Sequence, residues 1–209
     1  MSDTGVLTVI SGFSGAGKGT IMRELIHKYG YFLSVSATTR KPREGEVDGK
    51  DYYFHTRDEF QKMIDDNELI EWAEYVDNYY GTPKLAVQQQ LQDGKDVLLE
   101  IEMQGGMLVK RQFPDALLVF VAPPSADELQ KRLIGRGTEN DEQIQKRLKQ
   151  AVTEVNYMHS YDYIVVNDEI DRAVEQIHMI IQNEHAHSDR CAEFIQRMES
   201  ELQQFSKGD

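Results

Sequence analysis

The amino-acid sequence predicts an α/β protein with a parallel sheet as its core, a mixed subdomain inserted into that core, and a helical lid. The first observation is local: an apolar run at residues 6–10 precedes a glycine-rich loop, and apolar residues then recur at helical spacing over 21–29. The second is the alternation of strand-like apolar segments with helical patterns between residues 83 and 167, which favours parallel β-α-β winding. The third is the polar, turn-rich and aromatic stretch from about 37 to 82, which interrupts that alternation.

Individual elements follow from the same periodicities. Strands of the core sheet are expected at 6–10, 31–36, 97–101, 117–122 and 163–167. Helices are expected at 21–29, 83–93, 103–112, 125–134 and 140–158. In the inserted stretch we expect a helix near Asp58–Asp66 and an extended segment at Leu69–Tyr80. Gly135-Arg136-Gly137, within the charged helical stretch 125–150, is typical of a hinged lid, and the polar chain from Glu184 onward predicts an exposed tail helix.

Composition and charge argue against several classes of function. The 209 residues are 40% hydrophobic and 28% charged, which is ordinary for a globular protein. A net charge of −13 argues against general nucleic-acid binding, because phosphate backbones require a broad basic surface. The single cysteine, Cys191, excludes an intramolecular disulfide framework. No apolar run approaches the roughly 20 residues needed to cross a bilayer, and the N-terminal MSDTG does not resemble a signal peptide. We therefore expect a cytoplasmic protein without nucleic-acid or membrane partners.

The strongest motif is the phosphate-binding pattern G-x-x-x-x-G-K, found at Gly12-Phe13-Ser14-Gly15-Ala16-Gly17-Lys18-Gly19-Thr20. Its glycines allow successive backbone N–H groups to surround a phosphate at a helix N-terminus, and Lys18 would reach the β- and γ-phosphate oxygens. Gly19 occupies the position where a magnesium-binding Ser or Thr is usual, so binding of an α-phosphate oxygen by Thr20 is the alternative. An ordinary glycine-rich turn is disfavoured, because a predicted strand precedes the loop and a predicted helix follows it.

Candidate groups for holding a phosphorylated acceptor lie in the inserted stretch. Arg40 and Arg43 are three residues apart with Pro42 between them, and arginine forks suit a phosphate monoester. The alternative for such a pair is a solvated charged loop. Glu71 and the segment Tyr79-Tyr80-Gly81-Thr82 likewise have an ordinary interpretation as strand residues with aromatic packing.

An ordered set of segments resembles guanylate kinases over roughly residues 5–184: GFSGAGKGT, SATTRKPREGEVDGKDYYF, LIEWAEY, NYYGTP, APPS, RLIGRGTE and IVVND. The resemblance implies a P-loop nucleoside-monophosphate-kinase-like fold. It divides the chain into a core (5–35, 83–124 and 151–184), a GMP-binding insertion (36–82), a lid (125–150) and a C-terminal tail helix (185–209). The chain departs from many members at Glu100-Ile101-Glu102, where aspartates are common, so the reach of both carboxylates is open.

The same resemblance implies a role for each candidate residue. The catalytic residues would be Lys18, Arg40, Arg43, Arg136 and Arg147, with Arg132 as a weaker lid candidate. ATP would be bound by Gly12, Phe13, Ser14, Gly15, Ala16, Gly17, Lys18, Gly19, Thr20 and Asn167, although Asn167 also suits a plain turn. The GMP phosphate would be held by Arg40, Arg43, Tyr52 and Tyr80, and guanine would be read by Ser36, Glu71, Thr82 and Glu102. Glu100 would hold magnesium, through water.

The expected reaction is ATP- and Mg²⁺-dependent phosphorylation of GMP, extended to dGMP. A carboxylate at Glu71 suits guanine, whose ring N–H and amino group are adjacent donors, whereas AMP would leave it unpaired at a cost of about 1–3 kcal/mol. Two alternatives stay open: a kinase of another small phosphorylated acceptor, and a non-catalytic guanylate-kinase-like binding module. The cluster His185, His187 and Cys191 has a metal-like spacing, but a solvated tail helix is the preferred interpretation. The sequence leaves the oligomeric state open.

Overall fold

The computed structural model describes residues 4–75, 77–135 and 141–206. Its strands are β1 Leu7–Gly12, β2 Phe32–Leu33, β3 Ala37–Thr38, β4 Tyr53–Phe54, β5 Leu69–Tyr75, β6 Asn78–Pro83, β7 Val97–Glu100, β8 Leu117–Ala122 and β9 Tyr163–Val166. Its α-helices are α1 Lys18–Tyr29, α2 Arg57–Asp65, α3 Lys84–Gln92, α4 Met103–Gln112, α5 Ala126–Gly135, α6 Asp141–Glu154, α7 Ile170–Glu184 and α8 Ala192–Ser206. Short 3-10 helices lie at Val155–Ser160 and Ser188–Cys191.

A five-stranded parallel sheet forms the core, in the order β2-β7-β1-β8-β9. Its central strands β1 and β8 are buried at every position, as expected for parallel strands covered by helices. α3 and α4 pack against this sheet, and α1 packs against both the sheet and α7. The α/β class and the parallel core are therefore confirmed.

The carboxyl ends of these strands meet at one edge of the sheet, because neighbouring strands run parallel. The glycine-rich loop follows β1, Glu100 ends β7, and Asn167 directly follows β9. This edge therefore collects residues from three distant parts of the sequence, and it is where the candidate site lies.

The inserted stretch forms a second sheet of four strands, in the order β4-β3-β6-β5. β3 pairs parallel with β4 and antiparallel with β6, while β5 and β6 form an antiparallel pair. Phe60 of α2 is fully buried against Ala37 and Leu69, which gives this sheet a small core of its own. The mixed character predicted for the insertion is confirmed.

Local patterns located most elements well. β8 and α4 have the predicted bounds, and α2, α3, β7 and β9 differ from theirs by one or two residues. The strand predicted at 31–36 is only Phe32–Leu33, because the chain leaves the core sheet there and enters the second sheet at Ala37. The helix predicted at 140–158 ends at Glu154 and continues as a 3-10 helix.

Two elements differ from the predictions more substantially. The segment Leu69–Tyr80, expected as one extended stretch, belongs to a hairpin whose turn includes Asp77 at φ 59°. Helix α7 was not predicted, and the tail helix α8 begins only at Ala192. The side chains of residues 192–205 are exposed. No helix in the described ranges is both long and apolar enough to cross a membrane.

Candidate active site

The glycine-rich loop is held from two sides. β1 ends at Gly12 and α1 begins at Lys18, with Gly17 in a left-handed conformation at φ 95°. A Cβ atom at Gly17 would lie 2.4 Å from Nδ2 of Asn167, so both the backbone and the available space require glycine there. The same Nδ2 donates to the carbonyl oxygen of Ala16 at 2.7 Å, and Asn167 is only 1% exposed. The loop is therefore pre-formed and fixed to the end of β9.

Lys18 lies within this loop. Its Nζ donates to the carbonyl oxygens of Gly12 at 2.6 Å and Phe13 at 3.2 Å. The ammonium group is thus placed beside the backbone cradle that a phosphate would occupy. The hydroxyl of Thr20 accepts a hydrogen bond from Arg23 at 3.3 Å.

Two arginines of the lid region contact the loop. Arg147 of α6 donates to the hydroxyl of Ser14. Arg132 of α5 donates to the carbonyl oxygen of Asn167 at 3.0 Å and pairs with Glu128 at 2.9 Å. Arg132 also donates to the carbonyl oxygen of Ala16 in the loop at 3.5 Å. Arg136 lies outside the described residues. A cavity of about 480 Å³ adjoins the loop, lined by Gly15, Gly17, Arg132, Gly135, Asn167, Asp168 and Ile170.

A cationic and aromatic cluster lies in the second sheet and the loop after β3. The guanidinium carbon of Arg40 is 5.3 Å from the ring centroid of Tyr52, and the Tyr52 and Tyr80 rings are 6.1 Å apart. The hydrogen-bonded carboxylate of Glu46 raises the pKa of Arg40 most, and the nearby Tyr80 phenol adds to that increase. Burial raises the pKa of Tyr52, so its hydroxyl remains a donor at neutral pH. Arg43 is exposed on the same loop. Three of the four predicted phosphate ligands therefore lie together, with Arg43 beside them.

A buried polar pair, Glu71 and Thr82, lies on the β5–β6 hairpin that also carries Tyr80. Glu71 on β5 is 7% exposed, and the hydroxyl of Thr82 donates to its Oε1 at 2.7 Å. Burial raises the pKa of Glu71 to about 7. Ser36 is half-buried just before β3, and Glu102 occupies the N-cap position of α4 with an exposed side chain. Glu71 and Thr82 are therefore in contact, whereas Ser36 and Glu102 make no described contact with them.

Glu100 lies at the end of β7, between the loop and the cluster. The surrounding protein desolvates its carboxyl and raises the pKa, although the side chain is exposed at the edge of the cleft, and the charge of Lys18 opposes that increase. The described residues contain no group of three or more His, Cys, Asp or Glu side chains that could hold a metal ion. That finding also speaks against a site at His185, His187 and Cys191. Magnesium usually takes one or two carboxylates together with substrate phosphates and water, so the position of Glu100 fits such an ion.

Two residues of this region were not identified from the sequence. A Cβ atom at Gly105 would lie 2.8 Å from Oε2 of Glu71, so the first turn of α4 leaves space for that carboxylate. The adjacent glycines 105 and 106 inside a predicted helix could have indicated such a close approach.

Glu154 of α6 is 7% exposed and accepts from Gln150 at 2.8 Å. Burial raises its pKa and the charge of Lys18 lowers it, but no sequence signal distinguishes it from other helical glutamates.

Comparisons with known proteins agree on one family. A family model described as guanylate kinase matches residues 5–184. The chain is 51% identical over 202 residues to a guanylate kinase of Bacillus subtilis (strain 168), covering 95% of this chain and 98% of that protein. It is 55% identical over 178 residues to a guanylate kinase of Desulfitobacterium hafniense (strain Y51), covering 85% and 89% respectively. Among solved structures, the guanylate kinase from Anaplasma phagocytophilum is similar, with TM-score 0.70, 32% identity and 88% coverage of both chains.

The burial of Glu71 predicts a pH-dependent stability difference. Its pKa is about 7 in the folded chain and near 4.5 when unfolded, so ionisation costs folding free energy that grows between pH 4.5 and 7 and then stays constant. Glu71→Gln removes that cost and keeps a partner for Thr82. We expect the variant to be more stable than the wild type by up to roughly 3 kcal/mol at pH 8 and nearly equal at pH 4.5. Denaturant unfolding at both pH values, with exposed Glu44→Gln as the charge control, measures this. An equal difference at the two pH values would contradict it.

Proposed function

The chain belongs to the guanylate kinase family, and we propose that it transfers a phosphoryl group from ATP to GMP in the cleft between the glycine-rich loop and the second sheet. Its fold is that of a P-loop nucleoside-monophosphate kinase. It is a guanylate kinase, an enzyme of purine nucleotide metabolism that forms GDP from GMP with ATP. The observation that carries the proposed site is the buried Glu71–Thr82 pair on the hairpin whose Tyr80 belongs to a cluster of arginine and tyrosine side chains.

We propose that residues 12–20 bind the phosphates of ATP. The left-handed Gly17 and the start of α1 at Lys18 support this, because the first N–H groups of a helix have no helical acceptors and favour a phosphate. Lys18 would leave the loop carbonyls and reach the β- and γ-phosphates when ATP binds. Asn167 would act on ATP through the loop, since its amide nitrogen already donates to Ala16.

The acceptor phosphate is assigned to Arg40, Arg43, Tyr52 and Tyr80, and the guanine to Ser36, Glu71, Thr82 and Glu102. Support comes from the Arg40–Tyr52–Tyr80 cluster, which offers positive charge and hydroxyl donors to a phosphate. An ionised Glu71 can accept from the ring N–H and the amino group of guanine together. AMP offers no such donor pair, so binding AMP would leave the buried carboxylate with Thr82 as its hydrogen-bond partner and no donor from the base.

Little covalent help from the protein is needed, because the attacking phosphate oxygen of GMP is already ionised. Catalysis then consists of alignment and of neutralising the charge on the transferred group. Lys18 would serve the donor side, Arg40 and Arg43 the acceptor side, and Arg147 the transferred group, with Arg136 a further proposed lid residue. Glu100 would hold Mg²⁺ through water, and that ion would supply additional neutralisation of the donor phosphates.

We also propose that the enzyme accepts dGMP and that its chain is divided into functional regions. None of the proposed acceptor contacts involves the ribose 2′-hydroxyl, so we expect dGMP to be accepted. The division into core, GMP-binding insertion, lid and tail helix is proposed with the bounds given above. A cytoplasmic location is likewise proposed, and the oligomeric state stays open.

The acceptor can be identified by an ADP-release assay with GMP, dGMP, AMP, CMP and UMP. Because Glu71 requires two adjacent donors, we expect GMP and dGMP to exceed AMP in kcat/KM by at least about tenfold to a hundredfold. Absence of GMP-dependent ADP release would defeat the proposed function. A preference for AMP would leave a kinase in place but contradict the role of Glu71.

Gly105 should control the guanine site indirectly. A methyl group there would occupy the space of Glu71 Oε2, so Gly105→Ala should displace the carboxylate and raise KM for GMP by about tenfold or more. KM for ATP should not change, because the glycine-rich loop is not touched. The control is Gln104→Ala, which alters an exposed position of the same helical turn. An unchanged KM for GMP in Gly105→Ala would show that Glu71 does not need its present position.

A further inference from the structure

One carboxylate in the loop after β3 is paired with a proposed phosphate ligand. Nη1 of Arg40 donates to Oε2 of Glu46 at 2.9 Å, and Nη2 donates to Oε1 at 2.9 Å. These two parallel bonds form a fork-to-fork pair, which fixes direction as well as distance. The two side chains are only 15% and 18% exposed, so solvent screens the pair less than it would an ordinary surface ion pair.

The same carboxylate also holds the backbone that carries the second arginine. The N–H of Arg43 donates to Oε2 of Glu46 at 2.7 Å, and the N–H of Glu46 donates to the carbonyl oxygen of Arg43 at 3.1 Å. Glu46 is therefore bound to the side chain of Arg40 and to the main chain of Arg43 at once. The two arginines proposed to hold the acceptor phosphate share one anchor.

The geometry of the guanidinium group shows what this anchor leaves for a ligand. A guanidinium offers two forks, one from its two terminal nitrogens and one from Nε with a terminal nitrogen. The terminal fork of Arg40 faces Glu46, and its Nη1 also donates to the carbonyl oxygen of Lys41 at 2.8 Å. The Nε edge is therefore the one that can be presented to a phosphate. The rings of Tyr52 and Phe54 lie under the guanidinium carbon at 5.3 and 5.8 Å and restrict its rotation.

We propose that Glu46 is a positioning residue for the acceptor phosphate: it directs the Nε edge of Arg40 toward the site and holds the loop of Arg43 beside it before the nucleotide binds. The inference rests on the proposed function, because it needs GMP as the ligand of this cluster. Glu46 does not touch the substrate in this account. It acts by removing the rotational freedom that Arg40 would otherwise lose on binding.

A competing effect has the opposite sign. Glu46 is an anion near the site of another anion, so simple repulsion predicts that its removal would tighten GMP binding. The fork contact favours positioning, because the charge of Glu46 is largely balanced by Arg40 at 2.9 Å. The direction of the change in KM therefore separates the two accounts.

The test is Glu46→Gln, compared with Glu44→Gln, in the ADP-release assay. Glu44 is exposed in the same loop, and the structure describes no ion pair from it to either arginine. Both variants remove one negative charge, but only the first weakens the fork. We expect Glu46→Gln to raise KM for GMP about tenfold, with KM for ATP unchanged, and Glu44→Gln to leave both constants within about twofold of the wild type. If part of the variant were unfolded, the apparent kcat would fall but KM would not rise. A higher KM for GMP therefore still reports on binding, even in a less stable variant.

The same substitution in an Arg40→Ala background tests whether Glu46 acts through Arg40. The amide oxygen of a glutamine at position 46 can still accept from the N–H of Arg43, so this comparison isolates the contact with Arg40. We expect KM for GMP to change by less than about threefold between Arg40→Ala and the double variant. A full additional tenfold increase there, or an unchanged or lower KM in Glu46→Gln alone, would overturn the inference. These results require a wild type that turns over GMP. If it does not, the proposed function fails, and this inference fails with it.

Discussion

The acceptor half of the site depends on the buried carboxyl of Glu71, whose two oxygens need space and hydrogen-bond donors although the side chain is only 7% exposed. Thr82 donates to one oxygen from the neighbouring strand of the hairpin, and the backbone of α4 approaches the other where residue 105 lacks a side chain. The N-terminal turn of a helix favours a negative charge, whereas burial raises the pKa of the carboxyl to about 7. At neutral pH the carboxyl of Glu71 is therefore close to its pKa, and adjacent donors on a bound base would favour its ionised form. Glu71 thus lowers the free energy of unfolding at neutral pH, and the same buried carboxyl selects the ligand.

The donor half depends on packing of a different kind. Asn167 holds the glycine-rich loop at Ala16, and Arg132 and Arg147 contact the loop from α5 and α6. Because parallel strands end at the same edge, this loop, Glu100 and Asn167 face the cleft together although the sequence separates them widely. The lid side chains thus already contact the loop in this conformation, and binding of a triphosphate would exchange contacts with the protein for contacts with phosphate.

Local patterns predicted the parts of the structure that local physics determines. The run of apolar residues before Gly12 and the helical spacing after Thr20 were sufficient for β1, the loop and α1, and the buried run 117–122 gave β8 its bounds. The hairpin of β5 and β6 was missed because its turn has Asp77 rather than glycine in the left-handed conformation. Helix α7 could have been found, since its buried residues Ala173, Val174, Ile177 and Ile181 recur at helical spacing.

Candidate residues of the site could be predicted from the sequence, but most contacts between them could not. Residue type and order indicated which side chains face a phosphate or a base, but contacts between distant segments depend on packing. The approach of Gly105 to Glu71, the shared anchor at Glu46 and the buried Glu154 are contacts of that kind. Ser36 lies between β2 and β3, and Glu102 lies at the N-cap of α4. The structure describes no contact from either side chain to Glu71 or Thr82 that would support its predicted role.

Calorimetry of GMP binding at pH 7, in buffers of different ionisation enthalpy, tests the central claim that an ionised Glu71 pairs with guanine. With a pKa of about 7, Glu71 is roughly half protonated before binding and must lose that proton to accept both donors. The wild type should therefore release about half a proton more per GMP than Glu71→Gln at saturating GMP. The phosphate of GMP also titrates, with a pKa near 6, but it does so in both proteins and cancels in the difference. Equal proton release by the two proteins would contradict the account.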